Sequence, residues 1–561
     1  MNKNLFKFKK NDQIGAASAE QDTEYLPKCF VNTGALDLLK QIDDIRQIVL
    51  GRTGAGKSAL LTKLDEDISS RSIVISPEGL ALAYVSNSTI LNYFSDIGVN
   101  LDPFFKLLWR HVLTIEILNY HLERENDTKK NLLDRLSSMF ISSSRSDKKM
   151  REAIKYLSTW GEKFWVETEY RVKEITETLE SKLDVEAKAS VGIAVAKLAS
   201  GIRSGAKLTK EQKTELCSRA QRVVSAVQVQ DLHNVLELLD NVLEDRQKNY
   251  YILIDRLDEN WVEERLRYKL IMALVLTARD FIKVRNAKIV IALRRDLIDR
   301  VFRLARDSGF QEEKFQSLYL PLIWTGKELI EVLDLRINEL VKHRYTGQKV
   351  THKDLLPNRF EKKPIAKYIS MITSNPRDII AFFNSCISVA IDQPKLTSQL
   401  LKEAVGKYSR SRLYALRDEW SADYPSLLDC TKLLYHRPAS FKMSAIEDND
   451  VEELCLTICA DTSAGSCIFQ NYAIKVVDCV TTVNDFKIFL MQVFYIIGLI
   501  GLKLHPHESV SWVEESGKGI SPAEINNNIS ISVHPKYHRV LGINSKAGRN
   551  QGHAPNTKFD V

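Results

Sequence analysis

The chain has 561 residues, of which 44% are hydrophobic and 27% charged, and its net charge at pH 7 is +7. This composition excludes a disordered or fibrous protein, and the length predicts two to four domains rather than a single core. The small positive charge permits contact with nucleic acid but does not indicate it. Residues 1–10 lack the apolar run of a signal peptide, and the apolar run 488–502 is too short to span a membrane. We therefore expect a cytoplasmic protein with no membrane segment.

The first elements in chain order are those of a sheet. Residues 1–25 are expected to form a flexible leader, and residues 26–100 the first part of a core domain. Residues 47–50 and 71–76 read as short buried strands, because each is an apolar run next to a turn or helix signal. A helix is expected to begin directly after the loop that follows the first strand.

That loop matches the phosphate-loop pattern G-x-x-x-x-G-K-[ST]. Its glycines would let backbone N–H groups point at phosphate oxygens, Lys57 would add a charge near the β- and γ-phosphates, and the Ser58 hydroxyl would ligate Mg²⁺. The other interpretation is a glycine-rich turn that matches by chance. The residues predicted to bind ATP here are Gly51, Arg52, Thr53, Gly54, Ala55, Gly56, Lys57, Ser58 and Ala59.

Residues 101–249 are predicted to be a helical insertion, because apolar residues recur there at helical spacing. Strands return at 250–255, 288–293 and 318–320, and helices are expected at 263–284 and 327–343, so residues 250–345 form the second part of the core. Strands that alternate with helices indicate an α/β fold with a parallel sheet.

Acidic residues follow the strand at 250–255. Asp255 stands where an acidic side chain would hold the Mg²⁺ shell, and Asp258 or Glu259 would orient an attacking water molecule. The alternative is a strand that simply ends in solvated acids. The presence of Lys57 upstream favours the first interpretation.

Three arginines are candidates for contact with the nucleotide. Arg294 and Arg295 end the strand at 288–293, where a basic side chain would face the γ-phosphate in its own subunit or a neighbouring one; alternatively they pair with surface acids. Arg377 lies at a helix start with proline in the first turn, from which it would reach the phosphates. An ordinary helix-start cluster is the other interpretation.

Beyond the core, residues 346–429 read as a helical lid domain. Residues 430–545 read as a smaller unit, with helices near 452–460 and 483–497 and strands at 510–513 and 529–533. The tail at 546–561 is expected to be disordered.

With these motifs in order, the chain resembles the STAND/AAA+ group of P-loop ATPases, and more closely the bacterial members found beside phage-defence genes. The resemblance covers residues 26–420 and rests on 51–58, 252–261, 291–296, 323–325 and 375–378. It implies Asp255 as the Mg²⁺ acid, Asp258 or Glu259 as the catalytic acid, Arg294 or Arg295 as the residue that contacts the γ-phosphate, and Arg377 as the lid arginine. It also implies that the C-terminal unit is a winged helix.

The expected function is an oligomeric ATP-binding switch that hydrolyses ATP with Mg²⁺. The resemblance further implies a role in antiviral defence together with a separate effector or sensor protein. The alternative is a DNA-handling ATPase of initiator or loader type, whose winged helix would bind duplex DNA. Few basic residues lie at 483–504, which disfavours that alternative.

Overall fold

The computed structural model describes residues 6–69, 71–77, 100–125, 236, 239–240, 243, 248–259, 261–305, 311–342, 349–460, 467–513 and 519–543. The chain divides into two compact units. The sheet unit comprises Gly34–Thr53 and Lys57–Leu322, and the helical unit comprises Met1–Thr33, Gly54–Gly56 and Ile323–Val561.

The sheet unit contains five parallel strands in the order β2-β3-β4-β1-β5. The parallel α/β sheet expected from the sequence is confirmed, and each predicted strand lies within two residues of an observed one. The strands are β1 (Ile48–Gly51), β2 (Ser72–Ile75), β3 (Tyr250–Ile254), β4 (Ala287–Arg294) and β5 (Tyr319–Pro321).

The central strands form because their side chains are apolar on both faces. All five residues of β3 are buried, as are the first seven of β4. Burial of a large aliphatic side chain contributes about 1.5–3 kcal/mol, which explains why such runs become interior strands of a parallel sheet. The helices of this unit are α1 (Ala35–Lys40), α2 (Lys57–Ile68), α3 (Asp102–Glu125), α4 (Glu264–Phe281) and α5 (Arg295–Ala305).

The predicted helical insertion lies mostly outside the described residues. Its first helix is α3, and the face predicted from spacing is buried, with Leu107, Leu108 and Val112 at most 6% exposed. This face joins the core of the sheet unit, where the indole N–H of Trp109 donates to the carbonyl of Leu270 in α4 at 2.9 Å. The start of the insertion is thus part of the sheet unit itself.

The helical unit includes one helix that was expected to belong to the sheet core. This helix is α6 (Gly326–Lys342), which lies within the predicted core segment 250–345. Instead Leu329, Leu333 and Ile337 are buried in a cluster with the helices that follow, because α6 presents an apolar face to them. Those helices are α7 (His352–Leu355), α8 (Ile365–Ile372), α9 (Pro376–Val389) and α10 (Ser398–Trp420), with a small hairpin of β6 (Arg359–Phe360) and β7 (Lys363–Pro364) before α8.

The expected flexible leader is wrong for residues 6–25. Phe8 is fully buried against Phe383, and its backbone N–H and carbonyl bond to residues after α9. Asp22 forms a buried ion pair with Arg336 of α6. The segment has few apolar residues, so its sequence does not predict that it is anchored. Its partners lie more than 300 residues away in the chain.

The C-terminal part of the helical unit combines helices with an antiparallel sheet. Its helices are α11 (Leu427–Thr431), α12 (Asp448–Ala460), α13 (Ile468–Val477) and α14 (Val483–Ile496); its strands are β8 (Ser440–Lys442), β9 (Ile500–Lys503) and β10 (Ser530–Val533), in the order β8-β10-β9. The expected strand at 529–533 is confirmed. The expected strand at 510–513 is wrong, since Ser511 forms only a single bridge to Leu502. The predicted tail lies outside the described residues.

Within the described ranges, every helix is too short or too polar to cross a bilayer.

Candidate functional site

The glycine-rich loop, Gly51–Ser58, connects the end of β1 to the start of α2. Gly54 and Gly56 have φ angles of +82° and +90°, in the left-handed region that costs residues with a Cβ about 1–2 kcal/mol. Helix α2 begins at Lys57, so its first N–H groups face the loop. Of the two glycines fixed by the pattern, Gly56 is therefore required by the backbone of this turn, and Gly54 is a second such position that the pattern does not specify.

Lys57 is the half-buried cation of the loop. Its ammonium donates to the carbonyl oxygens of Gly51 and Arg52, both at 3.2 Å. Burial lowers the pKa of Lys57, and the carboxylates of Asp258 and Asp255 act in the opposite direction. The side chain is thus held at the base of the loop by two carbonyl groups, where the charges of both acids act on it.

Strand register explains how these groups meet. β4 lies between β1 and β3, with Gly51 beside Arg294 and Ile291 beside Ile254. β4 therefore extends three residues past the end of β3, and Asp255 follows β3 at the same edge of the sheet. The loop, the strand-end acids and Arg294 are brought together by the carboxyl ends of three adjacent strands.

The turn after β3 carries Asp255, Asp258 and Glu259. Its first residue after Asp255 is Arg256, whose φ of +61° is uncommon for a residue with a side chain. Arg267 of α4 holds the other end of the turn by donating to the carbonyl oxygens of Asp258 and Glu259, at 3.3 and 3.0 Å. Sequence reasoning missed Arg267, which had no motif to mark it.

The two candidate acids have different neighbours. Oδ2 of Asp258 lies 3.8 Å from Nη1 of Arg294, and its charge acts on Lys57. Glu259 lies 3.8 Å from Arg256, and both of these side chains are about half exposed. Asp258 is therefore placed with the loop cation, whereas Glu259 faces a solvated arginine.

The two candidate arginines are also placed differently. Arg294 bonds to both carboxylate oxygens of Asp296, at 3.0 and 2.9 Å, and reaches Asp258. Arg295 pairs with Asp299 at 3.0 Å and with Glu312 at 3.2 Å. Arg294 thus contacts the candidate acid Asp258, whereas Arg295 belongs to an ion cluster with Asp299 and Glu312.

The tip of the loop, Gly54–Gly56, clusters with the helical unit. There the indole N–H of Trp324 donates to the carbonyl of Ala55 at 2.8 Å, and the backbone N–H of Arg377 donates to the carbonyl of Gly54 at 3.4 Å. A Cβ on Gly54 would lie 2.7 Å from Cβ of Arg377, so any larger residue here would require a neighbouring group to shift. Arg377 lies in the first turn of α9 as predicted, but its guanidinium Nε donates to the carbonyl of Ala17 at 3.0 Å.

Two comparisons with known proteins bear on these residues. Residues 327–417 match a family model described as the FunZ-associated C-terminal helical domain. This match begins in α6, ends in α10 and includes Arg377. Over 98% of its length the chain is 22% identical to the "Putative transposon gamma-delta 80.3 kDa protein" of Escherichia coli (strain K12), and it covers 70% of that protein.

Proposed function

We propose that the chain is a P-loop ATP-binding protein that hydrolyses ATP with Mg²⁺ and acts as a switch. The observation that carries this proposal is the set of groups around Lys57. A half-buried lysine at the start of a helix, behind a loop with two left-handed glycines, is acted on by the charges of Asp255 and Asp258, which follow β3 on the far side of β4. These are the parts that phosphoryl-transfer sites use.

In this proposal the loop backbone and Lys57 bind the nucleotide. The backbone N–H groups of residues 51–59 and the N-terminus of α2 would bind the phosphates of ATP. Lys57 would exchange its two carbonyl partners for β- and γ-phosphate oxygens. Because phosphate oxygens are charged and carbonyl oxygens are neutral, the hydrogen bonds of Lys57 to the nucleotide are expected to be stronger than those to the loop carbonyls.

The residues also suit a Mg²⁺ ion. The Ser58 hydroxyl and the Asp255 carboxylate supply oxygen donors, the ligand type that Mg²⁺ prefers. When bound, the ion would neutralise charge on the phosphates. Asp255 is half-buried, and its Oδ1 accepts the N–H of Arg256 at 2.8 Å, which fixes the carboxylate at the end of β3.

Asp258 is our candidate for the residue that orients the attacking water. It is the acid that shares its surroundings with Lys57 and Arg294, and its turn is held by Arg267. Glu259 remains the second candidate. Arg294 would stabilise charge that develops on the transferring phosphoryl group, and Arg295 would support α5.

We assign Arg377 to the loop tip, on the strength of its backbone bond to Gly54.

As in the expectation from the sequence, the protein would act as a homo-oligomer with a separate effector or sensor protein. The antiviral role rests on the resemblance alone.

A second candidate function, a DNA-handling ATPase, is favoured by the name of the E. coli relative, which refers to a transposon. It would require the C-terminal part to be a winged-helix-like domain with basic residues free to meet phosphates. Two of its basic side chains have other partners: Lys536 is buried against Asp378, and Arg539 pairs with Glu361. Both observations support the switch over the DNA reader.

Steady-state phosphate release tests the proposal. The full chain should hydrolyse ATP only with Mg²⁺, and its specific activity should rise with protein concentration if the active form is an oligomer. Absence of hydrolysis at all concentrations would contradict the enzymatic part of the proposal.

Titration of the full chain with duplex DNA at two salt concentrations separates the two functions. A DNA reader should bind with a log–log salt slope of about −0.9 for each phosphate contact, so a slope of about −4 or steeper favours the second function. Weak binding favours the switch.

A further inference from the structure

Asp378 is a carboxylate buried in the first turn of α9. It is 4% exposed, and its Oδ2 accepts from the Ser374 hydroxyl at 3.0 Å. Burial raises the pKa of Asp378, but the cations Lys536 and Arg412 outweigh it and hold the pKa well below its usual range. The group is therefore an ionised acid that depends on its two cationic partners.

The nearer partner comes from the C-terminal part of the chain, 158 residues away. Lys536 lies in the short 3₁₀ turn Pro535–Tyr537 directly after β10, and its ammonium donates to Oδ2 of Asp378 at 3.0 Å and to the Ser374 hydroxyl at 2.7 Å. Counted by side chain alone, Lys536 is 8% exposed and Asp378 is 5% exposed. Arg412 of α10 lies farther off, at 3.4 Å.

The same turn of α9 touches the tip of the glycine-rich loop. The Asn375 side chain caps α9 by accepting the N–H of Asp378 at 2.9 Å, and it would lie 3.1 Å from a Cβ placed on Gly54. Arg377, the residue before Asp378, donates its N–H to the carbonyl of Gly54. The ion pair and the contacts with the loop tip are thus made by the same helical turn.

We propose that Lys536 is a positioning residue that couples the C-terminal part of the chain to the nucleotide loop, by holding Asp378 and thereby the Arg377 backbone against Gly54. This inference rests on the proposed function for its second half, the effect on nucleotide affinity. The first half, the fixed loop tip, is a property of the helical unit alone.

The physical consequence is reciprocal. Coupling free energy acts equally in both directions, so nucleotide in the loop would favour the Lys536–Asp378 pair, and loss of the pair would weaken nucleotide binding. A partner that displaces the 3₁₀ turn would leave Asp378 buried without its nearest cation. The pair therefore provides a route by which docking on the C-terminal part alters ATP affinity.

The test compares Lys536→Met with Arg539→Met. Arg539 pairs with Glu361 in the turn between β6 and β7, so its substitution also removes an ion pair of the C-terminal part, but at a partly exposed site and with both cations of Asp378 left in place. Without nucleotide, hydrogen exchange at residues 51–58 and 375–378 should be faster in Lys536→Met than in wild type, and unchanged in Arg539→Met. This arm does not depend on nucleotide binding.

With ATP, the affinity of Lys536→Met should fall at least about fivefold, the lower limit of typical coupling between sites, while Arg539→Met keeps the wild-type affinity. Unchanged affinity or unchanged exchange in a folded Lys536→Met variant overturns the proposal. If wild type binds no ATP, the proposed function fails by that result, and the exchange arm still decides whether Lys536 fixes the loop tip.

A second variant keeps the test decisive if Lys536→Met does not fold. Asp378→Asn combined with Lys536→Met removes both charges of the pair, so no acid is left buried without its nearest cation. This double variant should fold and show the same faster exchange at residues 51–58. Wild-type exchange there would overturn the proposal.

Discussion

Nη1 of Arg294, at the end of β4, lies 3.8 Å from Oδ2 of Asp258, in the turn after β3. The contact forms because β4 lies between β1 and β3 and extends three residues beyond the end of β3. The sequence left two choices open, Asp258 or Glu259 and Arg294 or Arg295. The contact joins one member of each pair. It also predicts that the members of each pair differ in function.

Arg294→Met should reduce ATP hydrolysis by about 10²-fold or more, the loss typical when one stabilising donor is removed from a reacting site. Arg295→Met should leave hydrolysis per folded molecule near wild type but lower the melting temperature, since it breaks a pair with Asp299 and Glu312. Steady-state rates and thermal melts of both variants check this. Equal loss of activity would place Arg295 in the site as well.

Asp258→Asn should retain ATP binding but slow hydrolysis by about 10²-fold, as expected when a water-orienting group is lost. Glu259→Gln, an isosteric change one residue away, is the matched control and should have the smaller effect because Glu259 faces Arg256. Single-turnover rates separate hydrolysis from binding. A larger loss in Glu259→Gln would exchange the two assignments.

Gly54→Ala and Gly56→Ala share the same left-handed backbone cost of about 1–2 kcal/mol. Only the alanine at residue 54 would collide with Arg377; at residue 56 the nearest atom, in Trp324, would be 3.8 Å away. Gly54→Ala should therefore have the lower melting temperature of the two. Equal melting temperatures would mean that Arg377 does not pack against the loop in solution.

The low pKa of Asp378 predicts an acid-sensitive contribution to stability. A carboxylate whose folded pKa lies below its ordinary value of 3.8 stabilises the fold above that value and loses the contribution as the pH falls through the folded pKa. Asp378→Asn cannot titrate, and at neutral pH it should cost about 3–5 kcal/mol, as for a broken buried pair. The gap in melting temperature between wild type and variant should be wide at pH 6 and narrower at pH 3. A constant gap would show that Asp378 does not titrate in this range.

The sequence predicted the parts of the fold that follow from local pattern. Apolar runs such as 250–254 become interior strands because nothing else can bury them, and Asn375 with Pro376 starts α9 because both residues favour a helix N-terminus. The glycine-rich loop was recognisable because phosphate binding itself requires the spacing of its glycine, lysine and serine residues. Placement of Asp258 near Lys57 followed from the shared edge of parallel strands.

What the sequence did not indicate depends on distant partners. Phe8 reads as part of a charged leader, and only the helices near residue 383 explain its burial. β8 is three residues long and pairs with a strand about 90 residues later, so no local signal marks it. No local pattern marks Lys536 as buried, because its partner Asp378 lies 158 residues earlier in the chain. Strand order and buried ion pairs are properties of the assembled chain.

Calorimetric titration with Mg-ATP of wild type and Lys57→Met tests the central claim most directly. Because burial lowers the pKa of Lys57, removing its charge should not cost fold stability, and the variant should melt no lower than wild type. Lys63→Met, also in α2 but paired with Glu66 and Asp67, is the control. We predict that wild type and Lys63→Met bind ATP equally and that Lys57→Met binds about 10- to 100-fold more weakly, since hydrogen bonds to charged groups contribute about 1.5–3 kcal/mol. Equal affinity in all three proteins, or no binding by wild type, would contradict the account.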